Sequence, residues 1–156
     1  MKILVIGLGN PILGDDGVGW RVVEEIARKT ADQNDVEVDT ASLGGLSLME
    51  RLTGYERVIL VDSFFSGEKP IGTVSLFLLT DLQDLSSGHT TAVHDTSLRN
   101  ALNVGRSMNI FLPRDEDVQI VAIEAENVYD FSETLSPPVE AAVPVAVEAV
   151  LQLINS

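Results

Sequence analysis

Short β-branched runs alternate along this chain with segments whose apolar residues recur at helical spacing, and that alternation leaves few architectures open. The run over residues 2–6 ends at Gly7, the pattern of a buried strand closed by a glycine. A glycine-rich loop from Gly7 to Gly19 follows. Val18, Val22, Val23 and Ile26 then line one helical face, with Arg21, Glu24 and Glu25 on the other. Residues 36–40 read as a second strand and 46–52 as a short helix closed by Gly54. Residues 57–61 form another apolar strand, with Asp62 at its very end. Residues 73–79 have strand composition and are set off by Pro70 and Gly72. Leu98, Ala101, Leu102 and Gly105 predict a helix beginning near His94 and Asp95. The last strand spans 118–123, and Val139, Val143, Val147, Val150 and Ile154 share one face of a final helix. Pro144 lies inside that face. A proline costs about 3 kcal/mol in a helix interior, so a kink or a later helix start is expected there. No repeat, linker or low-complexity tract interrupts the pattern. It predicts one α/β domain over residues 1–156: a three-layer α/β/α sandwich around a mostly parallel sheet of about five strands.

Composition narrows the function. With 156 residues, 45% hydrophobic and 22% charged, the chain reads as a globular protein with a real core. Its apolar tracts are interrupted before the roughly 20 residues that a bilayer requires. The apolar start is cut by Gly7, Gly9, Asn10 and Pro11, which favours a buried strand over a signal sequence. No membrane partner and cytoplasmic residence are therefore expected. The absence of cysteine excludes a disulfide scaffold, a thiolate metal site and a cysteine nucleophile. A formal net charge of −14 opposes any extended phosphate-binding surface, so nucleic acid is not an expected partner. The acidity serves solubility or, more sharply, attracts a partner that presents a basic segment.

In sheets of this kind ligands collect outside the carboxyl ends of the strands, which directs attention to Asn10, Asp15, Asp16 and Asp62. The chain has no HExxH helix, no GxSxG elbow and no Walker A loop. Gly7-Leu8-Gly9 opens like a dinucleotide fingerprint, but Ile12 stands where the third glycine belongs, and two carboxylates would repel a pyrophosphate. Asp15 and Asp16 immediately precede a helix. One of them can cap it, which leaves the other free to point elsewhere. Asp62 ends an apolar strand, where a carboxylate pairs, caps or ligates. His94 falls at the start of a helix, whose positive end favours the neutral, metal-ligating imidazole. Taken singly, each has an ordinary structural use. Two acids and one imidazole at one sheet edge suit a borderline divalent ion and leave coordination positions open. His89, in a Ser-Ser-Gly-His stretch, reads as loop decoration.

These residues sit in motifs that resemble the hydrogenase maturation protease family. Gly7-Leu8-Gly9-Asn10-Pro11 followed by Gly14-Asp15-Asp16-Gly17-Val18-Gly19 is similar to the family's N-terminal motif. Val58-Ile59-Leu60-Val61-Asp62 resembles its second motif, and His94-Asp95-Thr96-Ser97-Leu98 its histidine motif. Leu135-Ser136-Pro137, running on through Pro144, is similar to the opening of the family's last helix. One departure stands out: where the family often has an Asp-Gly-Gly-Thr turn, this chain has Thr40-Ala41-Ser42-Leu43 before Gly44-Gly45, with Asp39 one place earlier.

The resemblance implies an endopeptidase that removes the C-terminal extension from the nickel-loaded precursor of a [NiFe] hydrogenase large subunit. It implies Asp16, Asp62 and His94 as metal contacts and catalytic residues, with Asp15 a further candidate base. It also implies that nickel arrives with the substrate, as a check that metal insertion is complete, and that no organic cofactor is needed. Two other classes share parts of the pattern. A non-catalytic nickel-binding maturation factor would keep the same trio without cleaving. A phosphoacceptor receiver domain also pairs acids near its first strand, but its acids follow that strand directly and a lysine follows its last one. Here Asp15 lies well past Ile6, and residues 118–126 hold no lysine.

Overall fold

The computed structural model describes residues 2–42, 44–81 and 93–156, with the side chains of 93–97 excepted. Five strands form one sheet: β1 (Ile3–Leu8), β2 (Val36–Ala41), β3 (Arg57–Phe64), β4 (Val74–Leu78) and β5 (Val118–Glu124). Their spatial order is β2-β1-β3-β5-β4, and only the edge strand β4 runs antiparallel. Helices α1 (Val18–Lys29), α2 (Gly45–Arg51), α3 (Val93–Ser107) and α4 (Pro137–Ile154) cover the two faces.

Strand alternation sorts the core into two halves. Leu4, Ile6, Val58 and Leu60 pack with Leu48 and Met49 of α2, with Leu52 just beyond its end, and with Leu98 and Leu102 of α3. Val5, Ile59 and Val61 pack with Val22, Val23 and Ile26 of α1 and with Val139, Val147 and Val150 of α4. The three expected layers are present. Arg99 and Arg106 of α3 both grip Asp115, at 3.2 and 2.9 Å, and so tie that helix to the approach of β5.

Two expectations change. β3 does not end at Asp62 but continues to Phe64, because β5 pairs with it as far as Phe64↔Glu124. β1 stops pairing at Gly7↔Val61, so Asp62 lies just where β3 loses its neighbour on that side. The last helix starts at Pro137, earlier rather than later, and runs through Pro144 to Ile154. Pro137 and Pro138 occupy its first turn, where no N–H is missed. Pro144 is exposed, so water can reach the Glu140 carbonyl that its missing N–H leaves unpaired. This helix is also long and apolar enough, by length and composition, to cross a bilayer. Its Val139, Ala142, Ala146, Val147 and Val150 face is instead buried in the domain.

Candidate functional site

The chain leaves β1 toward α1 and β2 on one side, and the neighbouring strand β3 leads to elements on the other. The crevice between the ends of β1 and β3 is thus the topological switch point, where open α/β sheets bind ligands. Asp16 and Asp62 both lie there.

Glycine permits the approach. α1 begins so near the sheet that a Cβ on Gly19 would stand 2.4 Å from the Val61 carbonyl oxygen and 2.7 Å from that of Leu8. Gly9 has φ of +131°, and a Cβ there would stand 1.9 Å from the Asp16 carbonyl oxygen. The glycine-rich loop therefore folds tightly back on itself and sets Asp16 against the strand ends.

Asp16 lies in a 3-10 turn, Gly14–Gly17, that runs into α1. One carboxylate oxygen accepts the Asn10 backbone N–H at 2.8 Å, and the other accepts the Ser63 hydroxyl at 3.1 Å. Ser63 also donates its backbone N–H to Asp62 Oδ1 at 2.9 Å. A single buried serine thus touches both acids. Strand geometry explains how: Ser63 follows Asp62, so their side chains point to opposite faces, with Ser63 on the α1 face and Asp62 on that of α2 and α3. Sequence reading passed over Ser63. The signal that could have found it is a polar residue next to Asp62 in a strand otherwise apolar from Val58 to Val61.

His94 belongs by backbone to the first turn of α3, which packs on the Asp62 face, but its side chain lies outside the described residues, as does all of His89. Among the described residues no three His, Asp or Glu side chains gather as a metal-holding group. Ser63 bonds to both acids, to Asp16 through its hydroxyl and to Asp62 through its backbone N–H. Two carboxylates offer hard oxygen donors, suited to complete rather than to build the sphere of a borderline ion.

Asp15 has a different setting. It is almost wholly buried, and its two oxygens accept the backbone N–H and the hydroxyl of Ser136, each at 2.7 Å. Ser136 is the N-cap of α4, so Asp15 anchors a helix 121 residues onward rather than the one it adjoins. Neither Asp15 nor Asp16 makes a side-chain cap on α1.

The altered turn after β2 also reaches the site. Asp39 pairs with Arg51 of α2 and accepts the Thr40 N–H at 2.8 Å, so its carboxylate is held at the β2 edge. Ser42 donates its hydroxyl to the Gly9 carbonyl at 2.9 Å and buttresses the loop before Asp16. A further acid that the sequence did not single out, Glu124, is fully buried at the end of β5. It accepts the Ser66 N–H and hydroxyl at 2.8 and 2.9 Å and fixes the turn that leaves β3.

Comparison with known proteins gives a consistent result. The family profile described as hydrogenase maturation protease matches residues 20–153. The hydrogenase expression/formation protein HupD of Rhizobium leguminosarum bv. viciae is 23% identical over 155 residues, covering 99% of this chain and 75% of that protein. The hydrogenase 2 maturation protease of Escherichia coli K12 is 26% identical over 151 residues, covering 97% and 89%. The solved structure of the E. coli hydrogenase maturating endopeptidase HybD superposes with a TM-score of 0.80 at 26% identity, covering 99% of this chain and 93% of that one.

Proposed function

Because the chain belongs to the hydrogenase maturation protease family, and is thus a peptidase, we propose that it removes the C-terminal extension from the nickel-loaded precursor of a [NiFe] hydrogenase large subunit. The observation that carries this reading is the Asp16–Ser63–Asp62 arrangement at the switch point, on a fold shared with HybD.

In this reading Asp16, Asp62 and His94 contact nickel that the substrate brings, so the metal is part of what is recognised. Such an ion can polarise a scissile carbonyl or a water molecule. The chain's own part is to hold the donors ready. The Asn10 N–H and the Ser63 hydroxyl each occupy one oxygen of Asp16 and fix the plane of its carboxylate, leaving further lone pairs on both oxygens. Preorganised donors of this kind lose little freedom when the substrate docks. Asp15, committed to Ser136, holds the last helix in place, and proton transfer falls to Asp16 or Asp62. With a net charge of −14 and the apolar face of α4 spent on the core, the proposed setting is cytoplasmic, away from nucleic acid and membrane.

The test pairs a thermal melt with cleavage of nickel-loaded precursor by Asp62→Ala. A folded variant that no longer cleaves is expected. Full cleavage by the folded variant would remove Asp62 from the mechanism.

A further inference from the structure

Beside the loop that carries Asp16, the chain presents a second surface. The segment between β5 and α4 is zipped to that loop by backbone bonds: Gly14 N–H to the Ser132 carbonyl at 2.8 Å, Ser132 N–H to that of Ile12 at 2.9 Å, and Asp15 N–H to that of Asn127 at 2.9 Å. The Asp15–Ser136 contacts pin its other end. On this fixed backbone Tyr129 and Phe131 stand 77% and 84% exposed, beside a half-exposed Ile12. Aromatic side chains on a rigid backbone make effective interface anchors, because little freedom is lost when they are covered.

The charged residues of this segment have one sign. Glu126, Asp130 and Glu133 are exposed on the same segment, and no Lys, Arg or His occurs after Arg114. Arg21, which α1 contributes to this side, is paired with Glu140. The surface is apolar at its centre and acidic at its rim, and it adjoins the loop that carries Asp16.

We propose that Ile12, Tyr129 and Phe131, rimmed by Glu126, Asp130 and Glu133, form the docking surface for a precursor segment that bears apolar side chains next to Lys or Arg. The assignment rests on the peptidase reading above and adds the side from which the substrate approaches. The aromatics supply affinity by losing water, and the acids steer and orient the basic segment.

The test measures binding and cleavage of nickel-loaded precursor by the full-length protein. It compares wild type with Tyr129→Ser/Phe131→Ser and with Asp130→Lys/Glu133→Lys, each verified as folded by its thermal melt. The aromatic pair is expected to raise Kd and KM about tenfold or more, while kcat changes little. The charge reversal is expected to slow association and to weaken its dependence on salt. Unchanged Kd and KM in both folded variants would overturn the surface. So would unchanged precursor binding with lost self-association in sedimentation, which would assign the patch to a second copy of the chain. A wild type that binds precursor without cleaving it would contradict the peptidase reading, and Kd would still decide the surface.

Discussion

The Ser63 hydroxyl donates to Asp16 Oδ1 at 3.1 Å, across the gap between the end of β3 and the loop that follows β1. Its backbone N–H meets Asp62 at the same time, so one residue contacts both acids. In the proposed site these two carboxylates would meet one cation. A neutral hydroxyl against one of them sets its rotamer without adding charge.

Ser63→Ala should therefore lower kcat for precursor cleavage roughly tenfold, corresponding to about 1.4 kcal/mol in the barrier, because Asp16 keeps only the Asn10 N–H. Ser63→Thr retains the hydroxyl and should recover much of the loss. Steady-state kinetics decides. Equal rates for the Ala and Thr variants, both folded, would show that the hydroxyl does not position Asp16.

Asp15 offers the contrasting case. Asp15→Ala removes a buried carboxylate and strands the Ser136 N–H and hydroxyl at the start of α4. Helix N-termini favour an acid, and a buried donor left unmade costs about 1–3 kcal/mol. For a domain of this length each kcal/mol lowers Tm by roughly 2–4 °C. Asp15→Ala should thus lower Tm clearly, while Asp16→Ala, whose side chain is less buried, should cost less stability and more activity. The reverse ranking in melts and cleavage assays would exchange the roles assigned to the two acids.

Far from the site, Tyr55 donates its hydroxyl to Glu37 of β2, which also pairs with Lys2 at 2.5 Å. Hydrogen bonding to Glu37, then burial, raises the Tyr55 phenol above its ordinary 10.0. A raised folded-state value means that the contribution of this bond to stability is complete below the unfolded value. It is lost as pH rises through the folded one. In Tyr129→Phe, which leaves Tyr55 as the remaining tyrosine, phenolate absorbance should titrate with a midpoint raised above the ordinary one, and Glu37→Gln should bring that midpoint down. A midpoint unmoved by Glu37→Gln would contradict the bond.

Much of the fold was legible because the periodicities of 2 and 3.6 are set by burial on flat and cylindrical surfaces, which sequence records directly. The boundaries that moved depended on partners. β3 reaches Phe64 because β5, some 60 residues away in sequence, pairs there, and local composition carries no trace of that. Pro144 misled because proline's cost depends on whether water can reach the carbonyl it strands. At the site, the acids were visible as polar residues in apolar or glycine-rich surroundings. Their roles were not, because Asp15 and Asp16 differ only in what each meets across the fold: Ser136 for one, Ser63 for the other. Ser63 itself is an ordinary residue until strand alternation turns it toward α1.

The proposed trio of Asp16, Asp62 and His94 would offer oxygen and imidazole donors and no thiolate, so nickel should be read on the substrate rather than held by the free protein. The direct measurement is cleavage of nickel-loaded and metal-free precursor side by side, the latter in chelator, with calorimetry of nickel into the isolated protein. Weak nickel binding by the free protein, together with cleavage of the loaded precursor only, is the expected result. Efficient cleavage of metal-free precursor would contradict it and show that nickel is not the signal being read.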